Sequence, residues 1–208
     1  MVRTKASERP YFPLLGEPLA LDFLNTELWR EGSTVDLIGD PHRWKQWLGY
    51  QQRRLEPILG GPVTAQMRSA GPPRRVRELR DGARVVIDAA RTGQPPVREP
   101  GATLNAAVAV APITGSAGGF NAVLYPVCSD IEALLGALAV ATADLATSPQ
   151  ASAIHQCQAG GCGLLFLPTH PARRWCGAWT CGNRTRAARL YQPGPAAGGG
   201  VKGVRPCP

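Results

Sequence analysis

Four cysteines in the last third of the chain are the residues whose types and spacing suggest chemistry. Two pairs, each with four residues between its members, are separated by thirteen residues; the cysteines are Cys157, Cys162, Cys176 and Cys181. Four thiolates can close a tetrahedral Zn²⁺ site, and paired cysteines separated by a loop are the usual sequence pattern of such sites. Glycines surround the first pair, and glycine permits the left-handed backbone that a tight metal-binding knuckle needs. The spacing therefore predicts a zinc site.

The alternative is that these are ordinary buried or disulfide-bonded cysteines. A disulfide framework needs an oxidising compartment, and the N-terminal residues show no secretion-signal pattern. That alternative also leaves the regular pairing and the neighbouring glycines unexplained. We therefore expect bound Zn²⁺ and a cytoplasmic location, where thiols stay reduced.

The segments around the cysteines indicate how they are positioned. Residues 164–167 are apolar and residues 173–175 precede the second pair, which predicts a strand, a turn and a second strand that delivers Cys176. Residues 152–156 are predicted as a helical lead-in. A helix is expected over residues 182–191, because Pro and Gly follow it. Two knuckles and a hairpin at a helix N-terminus predict a treble-clef-like zinc finger.

The residues of this finger resemble a known family. Cys181-Gly182-Asn183-Arg184, preceded by Arg173-Arg174-Trp175-Cys176, is similar to the CGNR zinc finger, which lies at the C-terminus of bacterial proteins described as stress-induced transcription regulators. Near the N-terminus, Leu21, Asp22, Phe23, Asn25 and Thr26 resemble the Leu-Asp-Phe-x-Asn-Thr segment of the same family. The resemblance extends along nearly the whole chain. It implies that the four cysteines are zinc ligands and that nucleic acid is the partner.

Charge is distributed unevenly along the chain. The formal net charge is +8, with 23 Lys and Arg against 15 Asp and Glu. Residues 145–208 contain seven basic residues and no Asp or Glu, so they carry +7 and the remainder carries +1. A basic finger on a nearly neutral body favours a polyanionic partner. The alternative is a solvated arginine-rich face with no partner.

Four arginines are the predicted nucleic-acid contacts: Arg174, Arg184, Arg186 and Arg189. Arg186 and Arg189 are three residues apart and lie nearly one above the other on a helix, with Arg184 toward their side. Trp175 or Trp179 could stack on the bases of a single strand. DNA is the expected partner, with RNA or protein binding by the finger as alternatives.

The N-terminal part is predicted to be rich in helices. Asp40 is expected to cap a helix with an apolar face of Trp44 and Trp47. Further helices are predicted over 65–69, 74–92, 102–111 and 130–147, the last capped by Asp130, with a β-hairpin between 113 and 127. The apolar faces of the tryptophan helix and of helix 130–147 exceed what a small domain needs, which favours a homodimer.

These elements define an α+β fold. We expect a helix-rich regulatory or dimerisation domain over residues 1–150, a zinc finger over 151–192 and a flexible tail over 193–208. In the first domain, Asp22, Asn25 and Arg30 could form a polar ligand pocket. The preferred interpretation of Asp22 and Asn25 is structural, because short polar side chains commonly bond the backbone at the end of an element.

The chain lacks the signatures of common enzymes. It has no phosphate-binding loop, dinucleotide motif or nucleophile elbow, and its histidines, His42, His155 and His170, are scattered. A catalytic zinc keeps an open coordination position, which four cysteines would close. The longest apolar run, 131–147, is too short and too charged to cross a bilayer. We therefore predict a non-enzymatic, non-membrane protein, and an enzyme without a visible signature is the remaining alternative.

Overall fold

The structure, a computed structural model, describes residues 12–13, 16–30, 32–69, 71–109, 113–116, 119–122 and 129–190. The side chains of Arg30, Trp179 and Arg189 are outside this description, and so is the predicted flexible tail, residues 193–208. The described part combines helices with small antiparallel sheets, which confirms the α+β fold.

Seven helices lie in the described part: α1 Leu19–Leu24, α2 Pro41–Leu59, α3 Ala65–Ser69, α4 Arg74–Thr92, α5 Ala102–Ala109, α6 Asp130–Thr147 and α7 Asn183–Leu190. Three antiparallel two-stranded sheets accompany them: β1 Glu27–Arg30 with β2 Ser33–Asp36, β3 Ile113–Ser116 with β4 Gly119–Ala122, and β5 His155–Gln156 with β6 Leu165–Phe166. No helix in these ranges has both the length and the apolar content required to cross a membrane.

Local capping signals set the starts of two long helices. At α2, the Asp40 carboxylate accepts from the Arg43 amide at 2.9 Å, which confirms the predicted cap. At α6, the expectation of an Asp130 cap was wrong by one residue. Ser129 is the cap and forms a reciprocal capping box with Glu132. This motif needs a serine or threonine three residues before a glutamate, which is the position of Ser129. Asp130 instead accepts a hydrogen bond from the Thr64 hydroxyl.

Helix α6 lies at the centre of the N-terminal region and contacts all five helices from α1 to α5. Beside it, Trp44 and Trp47 stack with their ring centroids 5.8 Å apart, and both are completely buried. The indole N–H of Trp44 donates to the Met67 carbonyl at 2.8 Å. The apolar faces from which we expected a homodimer are thus covered by other parts of the same chain.

Helix α4 anchors the β1–β2 hairpin through a buried arginine. One nitrogen of Arg80 donates to the Thr26 hydroxyl and to the Asp36 carboxylate, both at 2.9 Å. Arg84, one turn later, donates to the Leu24 carbonyl at 2.9 Å. These bonds attach α4 to the end of β2, to the end of α1 and to the segment between α1 and β1.

The finger packs on the N-terminal region and contributes to the same hydrophobic core. Cys157, Leu164, Phe166, Cys176 and Cys181 belong to one buried cluster with the tryptophans and α6. Two predictions about its elements were wrong. Residues 173–175 are not a strand, because β6 pairs with β5 instead, and residues 151–153 form a short 3₁₀ turn that leads into β5 rather than a continuous helix.

Candidate metal centre

The four cysteines predicted as ligands converge on one point. Their sulfurs all lie within 4.8 Å of one another, and Cys162 Sγ is 3.9 Å from Cys176 Sγ. A tetrahedral zinc with Zn–S bonds of about 2.3 Å requires sulfurs about 3.8 Å apart. The cluster therefore has the donor set and the spacing to hold one Zn²⁺.

The first pair sits on a knuckle between β5 and β6. The Cys157 amide donates to the Leu164 carbonyl at 2.9 Å, and the Cys162 amide donates to the Ala159 carbonyl at 3.0 Å. Gly161 turns the chain with φ of 69°, a left-handed conformation in which a side chain would be strained. The turn brings both sulfurs to the same side of the loop.

The second pair comes from a loop and the start of a helix. The Gln158 amide donates to the Arg174 carbonyl at 3.0 Å, which ties the first knuckle to the chain that leads into Cys176. The Cys176 amide points at Cys157 Sγ, 3.4 Å away. Cys181 lies in a single wide turn, Ala178–Gly182, that continues directly into α7. Knuckle, hairpin and helix together form the treble-clef-like finger.

The crowded sulfurs differ in acidity. The hydrogen bond from the Cys176 thiol lowers the pKa of Cys162 to about 5, and the same bond raises the pKa of Cys176. Burial raises the pKa of Cys181 to about 11. Zinc ligands must be thiolates, so metal binding displaces the protons that these thiols retain.

The finger is joined to the N-terminal region by Asn25. Its Nδ2 donates to the Leu165 carbonyl at 2.8 Å, and its Oδ1 accepts from the Leu165 amide at 2.9 Å. One side chain thus satisfies both backbone groups of a residue in β6, as a neighbouring strand would.

A second connection is made by Glu17 and Arg173. Glu17 accepts from the Leu167 amide at 2.8 Å and pairs with the Arg173 guanidinium at 2.9 Å. Arg173 also lies over the Phe166 ring, 4.3 Å from its centroid. The sequence alone does not reveal the role of either residue. No local pattern marks Glu17, whose partners are about 150 residues away along the chain.

Asp22 holds the segment that carries Glu17. Its carboxylate accepts from the amides of Gly16 and Glu17 at 2.9 and 3.1 Å, and from Arg54 at 2.7 Å. The contacts described for Asp22 and Asn25 are thus to groups of the protein, as expected of residues that bond the backbone. A ligand-binding role for Asp22, Asn25 and Arg30 stays a prediction.

The predicted arginines do not share a single face. Arg184 donates to the Gly160 carbonyl at 3.1 Å and lies 3.6 Å from Cys181 Sγ. Arg186 lies on another side of α7, where it donates to Asn183 Oδ1 at 2.8 Å and its guanidinium carbon lies over the Trp175 ring, 5.9 Å from the centroid. Arg174 is exposed on the loop before Cys176. Arg189 is one helical turn beyond Arg186.

None of the three arginines with described side chains, Arg174, Arg184 and Arg186, forms an ion pair with a carboxylate of the described residues. Within the finger the described ion pair is that of Arg173 with Glu17. The positive charge of these three arginines is therefore not neutralised by a carboxylate of the described residues.

Comparison with known proteins yields two family matches. Residues 17–149, more than half of the chain, match the family model ABATE, described as "Putative stress-induced transcription regulator", and residues 154–192 match the CGNR zinc finger. No curated protein matches the chain. The two matches confirm the resemblance seen in the sequence.

Proposed function

Because the chain belongs to the family of stress-induced transcription regulators with a CGNR zinc finger, we propose that it binds DNA through that finger. The zinc is structural, since four cysteines close its coordination shell and leave no position for a reacting water. In this proposal the N-terminal domain, residues 1–150, regulates the finger at 151–192, and residues 193–208 are a flexible tail.

The observation that carries the proposal is the excess of positive charge in the finger, three of whose arginines have no carboxylate partner among the described residues. Residues 145–208 hold no acidic residue, and Arg174, Arg184 and Arg186 have no carboxylate partner among the described residues. Arg186, and Arg189 one helical turn further along α7, would contact phosphates, and the exposed Arg174 would contact another phosphate. Arg184, on another side of α7, would contact a different part of the backbone or a base edge.

The proposal is tested by replacing Arg186 and Arg189 with Gln and measuring affinity for duplex DNA at several salt concentrations. Each lost phosphate contact lowers the salt slope by about 0.9, so a loss of nearly two is expected. Arg53→Gln with Arg98→Gln is the matched control, because it removes the same charge from exposed positions of the N-terminal region. Zinc content is measured in every variant.

The outcome also separates the alternatives. If affinity and slope are unchanged in a zinc-loaded, folded variant, Arg186 and Arg189 do not contact nucleic acid, and a protein-binding finger becomes the better proposal. If single-stranded DNA or RNA binds more tightly than duplex, stacking on Trp175 or Trp179 becomes the preferred mode.

We further propose that the protein is not an enzyme and works in the cytoplasm, where reduced thiols are available to zinc. The homodimer expected from the sequence stays a prediction that light scattering tests. Since Trp44 and Trp47 are buried within the chain, a dimer would use another surface.

A further inference from the structure

A cavity of about 220 Å³ lies at the junction between the N-terminal region and the finger. One wall comes from the N-terminal region, the opposite wall comes from the first knuckle, and Thr180 and Arg184 belong to the finger's helical side. The apolar lining consists of Pro13, Leu28, Trp29 and Leu164. The cysteines Cys162, Cys176 and Cys181 form its metal side. A zinc ion held by the cysteines would occupy part of the cavity on this side.

The side chain of Trp29 is partly exposed at this junction and lines more than one depression of the surface. It is 42% exposed, and two neighbouring depressions of about 250 and 340 Å³ share Trp29 and Gly163 with the first. At Gly163 a Cβ would lie 3.2 Å from Trp29 Cβ, so glycine lets the knuckle approach the tryptophan closely. An aromatic side chain with a free surface beside an apolar cavity is a typical feature of small-molecule sites.

The charges of the lining restrict the ligand. Four thiolates around Zn²⁺ would carry a net charge of about −2, which repels an anion and attracts a cation. Among the described residues of the lining, Arg184 carries the charge that repels a cation, and no Asp or Glu there offsets it. One nitrogen of Arg184 is already bonded to the Gly160 carbonyl. An uncharged ligand fits this environment best.

The volume restricts the size. A cavity of about 150 Å³ holds one benzene molecule, so 220 Å³ has room for one or two aromatic rings. We propose that the cavity beside the zinc centre binds a small uncharged aromatic molecule, which packs on Trp29 and contacts both the N-terminal region and the finger.

This site would act as the effector site of the regulator, an extension that rests on the proposed DNA binding. Arg184 belongs both to the cavity and to the set of predicted DNA contacts. A ligand that changes the orientation of Arg184 or of the finger would change DNA affinity, and DNA would change ligand affinity by the same factor.

The test is a fluorine NMR titration of fluoroindole with the zinc-loaded full-length chain. We expect saturable binding, with weaker binding of fluorobenzoate and fluorobenzylamine. Trp29→Ala should weaken fluoroindole binding about tenfold or more. Thr180→Phe, which fills the cavity from the finger side, should abolish binding while zinc content stays at that of the wild type.

Tyr50→Ala is the matched control, because Tyr50 is a similarly exposed aromatic residue, at 46%, and does not line the cavity. Absence of saturation, or an equal loss in Tyr50→Ala and Trp29→Ala, overturns the proposal. If fluorobenzoate or fluorobenzylamine binds more tightly than fluoroindole, the assignment of an uncharged ligand is wrong. DNA affinity is measured separately, so binding of fluoroindole by a chain that does not bind DNA contradicts the proposed function and not the cavity.

Discussion

At the scale of single residues, two adjacent arginines of the finger have opposite environments. Arg173 points inward, pairs with Glu17 and lies over Phe166, whereas Arg174 is exposed and has no carboxylate partner in the described part. The first residue holds the finger on the N-terminal region, and the second is available to a partner. Neutralising them should therefore affect stability and binding separately.

Replacing one ligand tests the metal centre. Cys176→Ser is expected to lose zinc and unfold the finger, because a hydroxyl is a poor substitute for a thiolate and site assembly is coupled to folding. Metal analysis and circular dichroism measure the two effects. Cys207→Ser, which removes a thiol outside the cluster, is the control. Full zinc occupancy with an intact finger in Cys176→Ser would contradict the assignment.

Replacing Asn25 tests the connection between the two parts. Asn25→Ala leaves the amide and carbonyl of Leu165 without their partner, and we expect the free energy of unfolding to fall by about 1–3 kcal/mol. Urea denaturation measures the change. Asn105→Ala on the exposed side of α5 should have little effect. Equal stability of the two variants would show that the Asn25 bonds contribute nothing.

Residues differ in how far the sequence alone reveals their roles. The zinc ligands could be predicted because their regular spacing reflects the geometry of the ion. Asn25 was identified as a residue that bonds backbone, yet its partner was not, since Leu165 is 140 positions away. Such a pairing depends on how α1 and the finger pack, and no local pattern encodes that.

At the scale of elements, local signals specify the helices better than the strands. Helix α4 spans the predicted residues 74–92, because an apolar stripe and a terminal glycine mark it. The strands β5 and β6 have two residues each, which is too short for an alternating pattern. The apolar run in β6 was recognised, but its partner was misassigned to residues 173–175, since the choice depends on the metal knuckle.

Close packing between α4 and the start of α5 leads to another prediction. A Cβ at Gly82 would clash with the Pro100 carbonyl oxygen. Helix α4 can therefore pack this closely against the loop before α5 only because position 82 is a glycine. We expect Gly82→Ala to lower the free energy of unfolding by about 1–2 kcal/mol, although alanine favours a helix by about 1 kcal/mol.

The matched control is Gly49→Ala in α2, where a Cβ would meet no atom nearer than 3.8 Å. This variant should be neutral or stabilised in thermal and urea denaturation. If Gly82→Ala is as stable as Gly49→Ala, the loop yields to the added methyl group at no cost.

At the scale of the whole molecule, one hydrophobic core unites two regions with different charge. The nearly neutral N-terminal region contributes α6 and the tryptophans, and the basic finger adds its cysteines and Phe166 to the same cluster. Composition and the family motifs revealed the two regions. They did not reveal that the regions pack together, because the residues at their junction are ordinary core residues in sequence.

The acidity of the cysteines predicts how zinc binding depends on pH. Near pH 7 the zinc-free chain keeps protons on Cys176 and Cys181, whose pKa values are raised, while Cys162, with a pKa of about 5, is already ionised. Zinc must displace at least those two protons, so acid favours the zinc-free state. We expect the apparent affinity to fall at least about a hundredfold for each unit of decreasing pH, as measured by competition with a chelator of known pH dependence. A pH-independent affinity would mean that both thiols are already ionised.

The pairing of Asn25 with Leu165 has a consequence for how such regulators recombine. A zinc finger is often regarded as an independent module. In this chain, however, a strand of the finger completes its hydrogen bonds with an asparagine of the N-terminal region. Exchange of fingers between relatives, in evolution or by design, would preserve the junction only if the donor finger and helix α1 were compatible. In this chain the finger and the residue that ends helix α1 therefore act as one structural unit.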